Sequence, residues 1–254
     1  MDKTITIVTV SFNDATNLKK TIENVTLQDY KNLEYIVIDG GSKDNSVEII
    51  KNFKDKIDFW ISEPDRGIYD AMNKSLNYAH GSWILFMNAG DTFVSNNTLS
   101  QVFAHDIKDD VCVIYGDNYL VYPFGKSVNR ASSNLDFSRH LPFNHQSSMV
   151  RTSVIKKYLF NTDYKILADM DMFYRIFKDG LGFMHVDVFI CNYLMDGFSS
   201  TNGMLLFKER EKLLGTYGSL GYYIRHVKQY LVYHFKSLAP NSIVTVYRSR
   251  KYKR

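Results

Sequence analysis

Over its first hundred residues the chain repeats one pattern that leaves few folds open. A short, almost continuously apolar run is followed by a polar or glycine-containing break, then by a segment with helical spacing. Ile5-Thr6-Ile7-Val8-Thr9-Val10 is β-branched at every position and shows no polar face, as a strand covered on both sides requires. Leu18, Ile22 and Val25 then share one helical stripe, with Asn13 or Asp14 placed to cap it. Leu33–Asp39 starts the unit again, breaks at Gly40-Gly41-Ser42, and is followed by a helix from about Asn45. Phe59-Trp60-Ile61 reads as a third strand, and Ile68, Ala71, Met72, Ser75, Leu76 and Ala79 predict a helix that Gly81 ends. A fourth strand, Trp83-Ile84-Leu85-Phe86-Met87, delivers Asn88-Ala89-Gly90-Asp91 at its carboxyl end. The repeats predict an α/β fold: a Rossmann-like, mostly parallel sheet flanked by helices.

Beyond residue 110 the alternation loosens. Residues 111–122 read as a strand broken around Gly116-Asp117, a helix runs from about Ala168 to Gly180, and residues 183–194 are strand-like. The last fifty residues read as helical, with Leu220, Ile224, Val227, Leu231 and Phe235 on one face. They are also where the charge lies: residues 205–254 hold 11 Lys/Arg against two acidic residues, a net of +9, whereas residues 1–204 carry a net of −5. The expected organisation is a domain over 1–204, with halves at about 1–110 and 111–204, and a basic helical extension over 205–254. An apolar share of 45% with 23% charged residues excludes a disordered chain. Cys112 and Cys191 fall in no metal spacing and are expected to be free thiols. No secretory leader or run of ~18 apolar residues is present, so a cytoplasmic or peripheral location is expected.

Ligands of such sheets bind beyond the carboxyl ends of the strands, which singles out Ser11, Asp39, residues 63–66 and residues 88–91 by position alone. Asp39 precedes flexible Gly-Gly-Ser, so its carboxylate suits an imide N–H such as that of uracil, and equally an Asx-type turn. Asp91 is held rigidly where a diphosphate would lie. It suits a hard cation that takes one or two carboxylates plus phosphate oxygens, or a simple cap. Arg66, Asp70 and Lys74 stand at i, i+4, i+8: two surface ion pairs, or an anion-holding helix head at Arg66. Asp171 has Arg175 at i+4, whereas Asp169 shares its side with Met172 and Phe173. Asp169 is thus either a general base at the mouth of an apolar face or a helix cap. His145-Gln146 lies in a polar loop after Pro142; a lone histidine there, like His80 and His185, is more often structural. Ser/His/Asp and Cys/His arrangements, zinc spacings, the P-loop and the dinucleotide fingerprint are all missing.

In order and spacing, six segments resemble family 2 glycosyltransferases of the GT-A fold, in particular those of O-antigen, colanic acid and capsule assembly. They are residues 7–13 (IVTVSFN), 35–44 (YIVIDGGSKD), 63–74 (EPDRGIYDAMNK), 88–91 (NAGD), 144–146 (NHQ) and 168–171 (ADMD). The resemblance spans roughly residues 3–200 and implies an inverting transfer from a UDP-sugar to a saccharide hydroxyl. It assigns Thr9, Ser11 and Asp39 to the uridine, Asp65, Arg66, Lys74 and Asn88 to the rest of the nucleotide sugar, and His145 and Gln146 to the acceptor. Asp91 becomes the ligand of Mn2+ or Mg2+, and Asp169 the catalytic base. Two departures stand out: Asn88 replaces a second carboxylate of the metal motif, and Ala168 a glutamate beside the base. A polyprenyl-diphosphate-linked acceptor at the inner leaflet is the expected partner, with the basic tail on the membrane or packed on the domain; nucleic acid is not expected. A sugar-nucleotide pyrophosphorylase would carry a Gly- and Arg-rich loop where Ser11-Phe12-Asn13-Asp14 stands, and a non-catalytic sugar-binding subunit would have little use for Asp169.

Overall fold

The β-branched run at the start of the chain forms the centre of the sheet. In the computed structural model, which describes residues 3–137, 140–195 and 202–238 (side chains only to 230 in the last stretch), it is β1, Ile5–Ser11, buried along its length. β1 pairs in parallel with β2 (Leu33–Asp39) on one side and β4 (Trp83–Phe86) on the other, and β2 pairs in parallel with β3 (Phe59–Ser62). Helices α1 (Ala15–Val25), α2 (Ser46–Asn52) and α3 (Ile68–Ser75) make the crossovers. Two buried clusters cover the sheet. Ile5, Ile7, Tyr35, Val37 and Leu85 pack with Leu18 and Ile22 of α1, whereas Val8, Val10, Ile36, Ile38 and Phe86 pack with Met72 of α3. The alternation of faces along one strand therefore feeds two cores.

Past β4 the sheet continues as a mixed half. After β5 (Thr92–Phe93) and α4 (Thr98–Phe103) come β6 (Val111–Tyr122), β7 (Gly125–Asn129), β8 (Ser148–Arg151), α5 (Thr152–Tyr158), α6 (Ala168–Lys178) and β9 (Gly182–Leu194). The spatial order is β3-β2-β1-β4-β8-β6-β9-β5, with β7 on β6. β8 runs antiparallel to both β4 and β6, and β5 antiparallel to β9. β1 to β4 thus form a wholly parallel half, and β8 begins antiparallel pairing.

Two local expectations are corrected. β6 is not broken at Gly116-Asp117; glycine is there because a Cβ would lie 2.5 Å from the Val188 carbonyl oxygen. Nor do Asn13 or Asp14 cap α1 by side chain. Asp44 of the next loop does so, its Oδ2 accepting from the Ala15 N–H at 2.9 Å. Cys112 and Cys191 are free.

Contacts divide the chain into one unit of residues 1–119 and 128–193, and a second of residues 120–127 and 194–254. In the second, α7 (Gly203–Leu213) is followed by α8 (Leu220–Leu238). Arg248, Arg250, Lys251, Lys253 and Arg254 of the basic extension lie outside the described residues, as do the side chains of Leu231 and Phe235.

Gly81, read from sequence as a helix stop, has a tighter duty at the entry to β4. A Cβ there would lie 2.6 Å from the Thr6 nitrogen and 2.8 Å from the Ile5 carbonyl carbon. Gly81→Ala should therefore destabilise the protein by about 1–3 kcal/mol through overpacking. Gly203→Ala, where nothing lies within 4 Å, should cost nothing. Thermal unfolding of the two variants checks this, the first melting several degrees below the second.

Candidate functional site

The parallel half sets its strand ends at one level through backbone hydrogen bonds. The Gly40 N–H donates to the Ser11 carbonyl (2.9 Å), Glu63 N–H to the Asp39 carbonyl (3.0 Å) and Ala89 N–H to the Val10 carbonyl (3.1 Å). Asp39, fully buried, folds the turn that follows it. Its Oδ2 accepts from the Gly41 and Ser42 N–H groups at 3.1 and 2.9 Å and from the Ser62 hydroxyl at 2.6 Å, and its Oδ1 from the Ser42 hydroxyl. Of the two sequence alternatives the turn is realised in full, and Oδ1 keeps one lone pair. Gly40 is pinched between neighbours: a Cβ would lie 2.5 Å from Asp65 Oδ2 and 3.2 Å from the Phe12 ring. Phe12, 62% exposed, is an apolar platform beside that turn.

Asp65 leads into α3. Its Oδ1 accepts from the Gly67 N–H (2.8 Å), and Gly67 adopts φ 124°, a conformation open to glycine. Arg66 closes onto Asp70 through its own N–H (3.0 Å) and its guanidinium (2.9 Å), which holds the Asp70 carboxyl below the usual carboxylate range. Lys74 does not join Asp70; it pairs with Glu63 at 2.7 Å.

At the end of β4 the Asn88–Asp91 loop is clamped to α1. The Thr21 hydroxyl donates to the Asp91 carbonyl (2.8 Å) and accepts from the Gly90 N–H (3.0 Å), while Gly90 takes φ 98°. Asp91 is buried, and its charge, second to burial, raises the Cys191 thiol on β9. Two polar atoms of this edge are buried without a hydrogen-bond partner, Ser11 Oγ and Asn88 Oδ1. Among the described residues no three His, Cys, Asp or Glu side chains gather as a metal cluster. Asp91 and the unpartnered Asn88 oxygen are oxygen donors of the kind a hard cation accepts, in a set that phosphate oxygens would have to complete.

Asp169 reaches the same edge from the other face. Tyr69, in the first turn of α3, donates its hydroxyl to the Ile166 carbonyl (2.6 Å) and to Asp169 Oδ1 (3.3 Å). The Met170 N–H also donates to Oδ1 (2.8 Å), and His145 Nδ1 lies 3.8 Å from Oδ2. Asp169 is not the cap of α6, a position held by Leu167, and its side chain is 19% exposed. The turn His145–Ser147 is buried rather than a polar loop, the His145 ring standing 5.9 Å from that of Phe86 and 6.2 Å from that of Phe160. Burial lowers the imidazole to about 4. It is neutral at pH 7, so its approach to Asp169 is not an ion pair, and its Nε2 has no partner. These contacts tie Asp169 and His145 to Phe86 at the end of β4 and, through Tyr69, to the head of α3, which Asp65 and Arg66 precede.

This edge, built from four parallel strand ends and the heads of α3 and α6, lies within a segment that one known family describes. Residues 6–178 match the profile of glycosyl transferase family 2.

The chain belongs to that family. This family 2 glycosyltransferase is 32% identical over 187 residues to an uncharacterized glycosyltransferase of Mycobacterium tuberculosis, with 68% of each chain covered. It is 28% identical over 228 residues to a PGL/p-HBAD biosynthesis glycosyltransferase of Mycobacterium bovis, with 85% of each covered. Among solved structures it resembles the mannosyltransferase PcManGT from Pyrobaculum calidifontis in complex with GDP-Man and Mn2+. There the TM-score is 0.65 at 14% identity, covering 99% of this chain and 80% of that one. S. aureus TarS 1-349 in complex with UDP-GlcNAc gives a TM-score of 0.65 at 15% identity over 83% of this chain. The glycosyltransferase spans 64% of that TarS chain. Its mixed sheet flanked by helices is the GT-A fold.

Not every residue singled out from sequence reaches the edge of this glycosyltransferase. Thr9 is buried, with its hydroxyl 2.9 Å from the Tyr35 hydroxyl and donated to the Met87 carbonyl at 2.8 Å, so it is held within the sheet below the strand end. Lys74 is held by Glu63, two helical turns from Arg66. Gln146 is buried, its N–H donated to Asn144 Oδ1 at 2.9 Å. Sequence reasoning missed Phe12 and Tyr69. Phe12 had a signal, an aromatic side chain just past a buried strand, but Tyr69 had none, because its partner Asp169 is 100 residues away.

The neutral His145 predicts a pH dependence. Its folded pKa, about 4, lies below its ordinary 6.5, so the unfolded chain binds the proton first and stability is lost as pH falls from 6.5 towards 4. By pH 5 the loss is about 2 kcal/mol. Between pH 7.5 and 5 the wild-type melting temperature should fall several degrees further than that of His145→Gln; parallel profiles would contradict the assignment.

Proposed function

We propose that this glycosyltransferase transfers a hexose or N-acetylhexosamine, with inversion, from a UDP-sugar to a saccharide hydroxyl, with Asp169 as the base. One observation carries the reading: a part-exposed carboxylate, oriented by Tyr69 at the head of α3, lies against a neutral imidazole that packs on Phe86, the last residue of β4. The neighbours' bound UDP-GlcNAc and GDP-Man with Mn2+ support a nucleotide-sugar donor. The uracil would lie on Phe12, with its imide N–H on Asp39 Oδ1 and with Asp65 and Ser11 at the ribose side. Arg66 would meet the diphosphate. A divalent cation, Mn2+ or Mg2+, would be held by Asp91 and Asn88 with the diphosphate and would offset charge on the leaving group.

Chemically, Asp169 Oδ2 takes the proton of the acceptor hydroxyl. The freed oxygen forms its bond to the anomeric carbon as the carbon–oxygen bond to the diphosphate breaks on the opposite side, so an α-linked donor gives a β-linked product and UDP leaves. His145 is neutral, and its unpartnered Nε2 suits an acceptor hydroxyl. The acceptor is read as a saccharide on polyprenyl diphosphate, in bacterial surface polysaccharide synthesis; the M. bovis relative, named for PGL/p-HBAD biosynthesis, makes glycolipid acceptors a second source of the same chemistry.

Asp169→Asn keeps shape and removes basicity. Its kcat should fall by about 100-fold or more with UDP affinity unchanged; turnover within tenfold of wild type would remove Asp169 from its role. Chelation with EDTA should abolish transfer, and added Mn2+ or Mg2+ restore it. In Asp91→Asn the half-saturating Mn2+ concentration should rise at least about tenfold. Full activity in EDTA would dispose of the cation.

A further inference from the structure

The second unit sorts its charges between interior and surface. Its two described carboxylates, Glu209 and Glu211 of α7, are 4% and 3% exposed. Glu211 accepts from Arg225 of α8 (Nε at 3.1 Å) and from the Thr216 hydroxyl (2.7 Å), and Arg225 foremost holds it below the usual carboxylate range. By contrast Lys126, Lys208, Lys212, Arg225 and Lys228 are exposed. Among the described side chains of this unit, then, the exposed charge is entirely cationic.

Helix α8, which carries Arg225 and Lys228, also bears an apolar stripe. Leu220, Tyr223, Ile224, Val227 and Tyr230 are between 49% and 79% exposed, and their spacing puts them within roughly 120° of one helix face. The helix is held by its other side, where Tyr222 and His226 meet Phe207 of α7, with ring centroids 5.8 and 5.9 Å away. Five large apolar side chains in one row on a water-facing helix mark a surface that meets something else. No helix among the described residues is long and apolar enough to cross a membrane.

We propose that α8 lies in the plane of an anionic lipid surface, its apolar stripe in the boundary between headgroups and acyl chains, with Lys228 beside it and the unit's other exposed lysines drawn to lipid phosphates. Charge selects this occupant. A second copy of the chain, docked face to face, would set one cationic rim against another, whereas anionic headgroups neutralise it. Tyr223 and Tyr230 suit the interface, where an aromatic ring with a polar tip is favoured. The inference deepens the reading of a lipid-linked acceptor and rests on it for purpose, but its test needs no catalysis.

The test is flotation of the full chain with vesicles of equal parts phosphatidylglycerol and phosphatidylcholine, and with phosphatidylcholine alone, at about 0.1 M salt. Wild type should float with the anionic vesicles, at least about tenfold less with the neutral ones, and be released by higher salt. Ile224→Glu/Val227→Glu should cut anionic binding about tenfold or more and leave donor hydrolysis in solution unchanged. Lys208→Gln/Lys212→Gln/Lys228→Gln, a surface change that leaves the stripe whole, should weaken it several-fold and covers the case in which the first variant does not fold. Equal binding by wild type and variants, or failure of wild type to bind anionic vesicles, would overturn the proposal. So would a wild-type dimer in sedimentation that the glutamates dissociate while vesicles are ignored. Vesicle binding by an enzyme that hydrolyses no donor would sink the catalytic reading and leave this one standing.

Discussion

The burial of β1 on both faces is the constraint on which the rest depends. A strand with helices on either side cannot slip by one residue without exchanging Ile5 and Ile7 for Thr6 and Val8 across two cores. Its register is therefore fixed with β2 from Ile5 to Ser11 and with β4 from Ile5 to Val8, and this sets where the chain leaves the sheet at the neighbouring strand ends. The backbone bonds from Gly40 to Ser11, Glu63 to Asp39 and Ala89 to Val10 are the consequence. Everything polar at the edge, from Asp39 to Asn88, inherits its position from apolar packing one or two residues earlier.

How legible this was depends on whether the information is local. Strand–helix alternation is, so β1 to β4 with their helices could be read from residues alone, and the strand-end rule then named Ser11, Asp39, Asp65, Arg66, Asn88 and Asp91. What a side chain does once there depends on partners far along the chain. Thr9 lies on the same face of β1 as Ser11 but one step deeper in the strand, where its hydroxyl is taken by Tyr35 and Met87. Asp39 had two local roles open, and the hydroxyl of Ser62, on a third strand, completes the turn. Asp44, not Asp14, caps α1 because two loops meet. The order β4-β8-β6-β9-β5 in the second half follows no repeating unit, so no period in the sequence could announce it.

Burial also decides electrostatics at the edge. His145 and Asp169 stand near enough to attract if both were charged, and an imidazolium there would hold the carboxylate in an ion pair. The rings of Phe86 and Phe160 remove water from the imidazole instead and keep it neutral. The carboxylate is then oriented by a neutral hydroxyl, Tyr69, which itself is anchored to the Ile166 carbonyl. Arg66, by contrast, is kept on the surface and bound to Asp70.

The same sorting of charge by burial runs in opposite senses in the two units. In the first, unpartnered polar atoms of Ser11, Asn88 and His145 are buried at the strand ends, where a ligand would relieve the cost of leaving them without hydrogen bonds. In the second, Glu209 and Glu211 are inside and the apolar row of α8 is outside. Each arrangement is unfavourable for a protein alone in water. Unpartnered polar groups inside call for a small polar ligand, and apolar groups outside call for an extended apolar one. The proposed nucleotide-sugar donor would answer the first cost, and the proposed lipid surface the second.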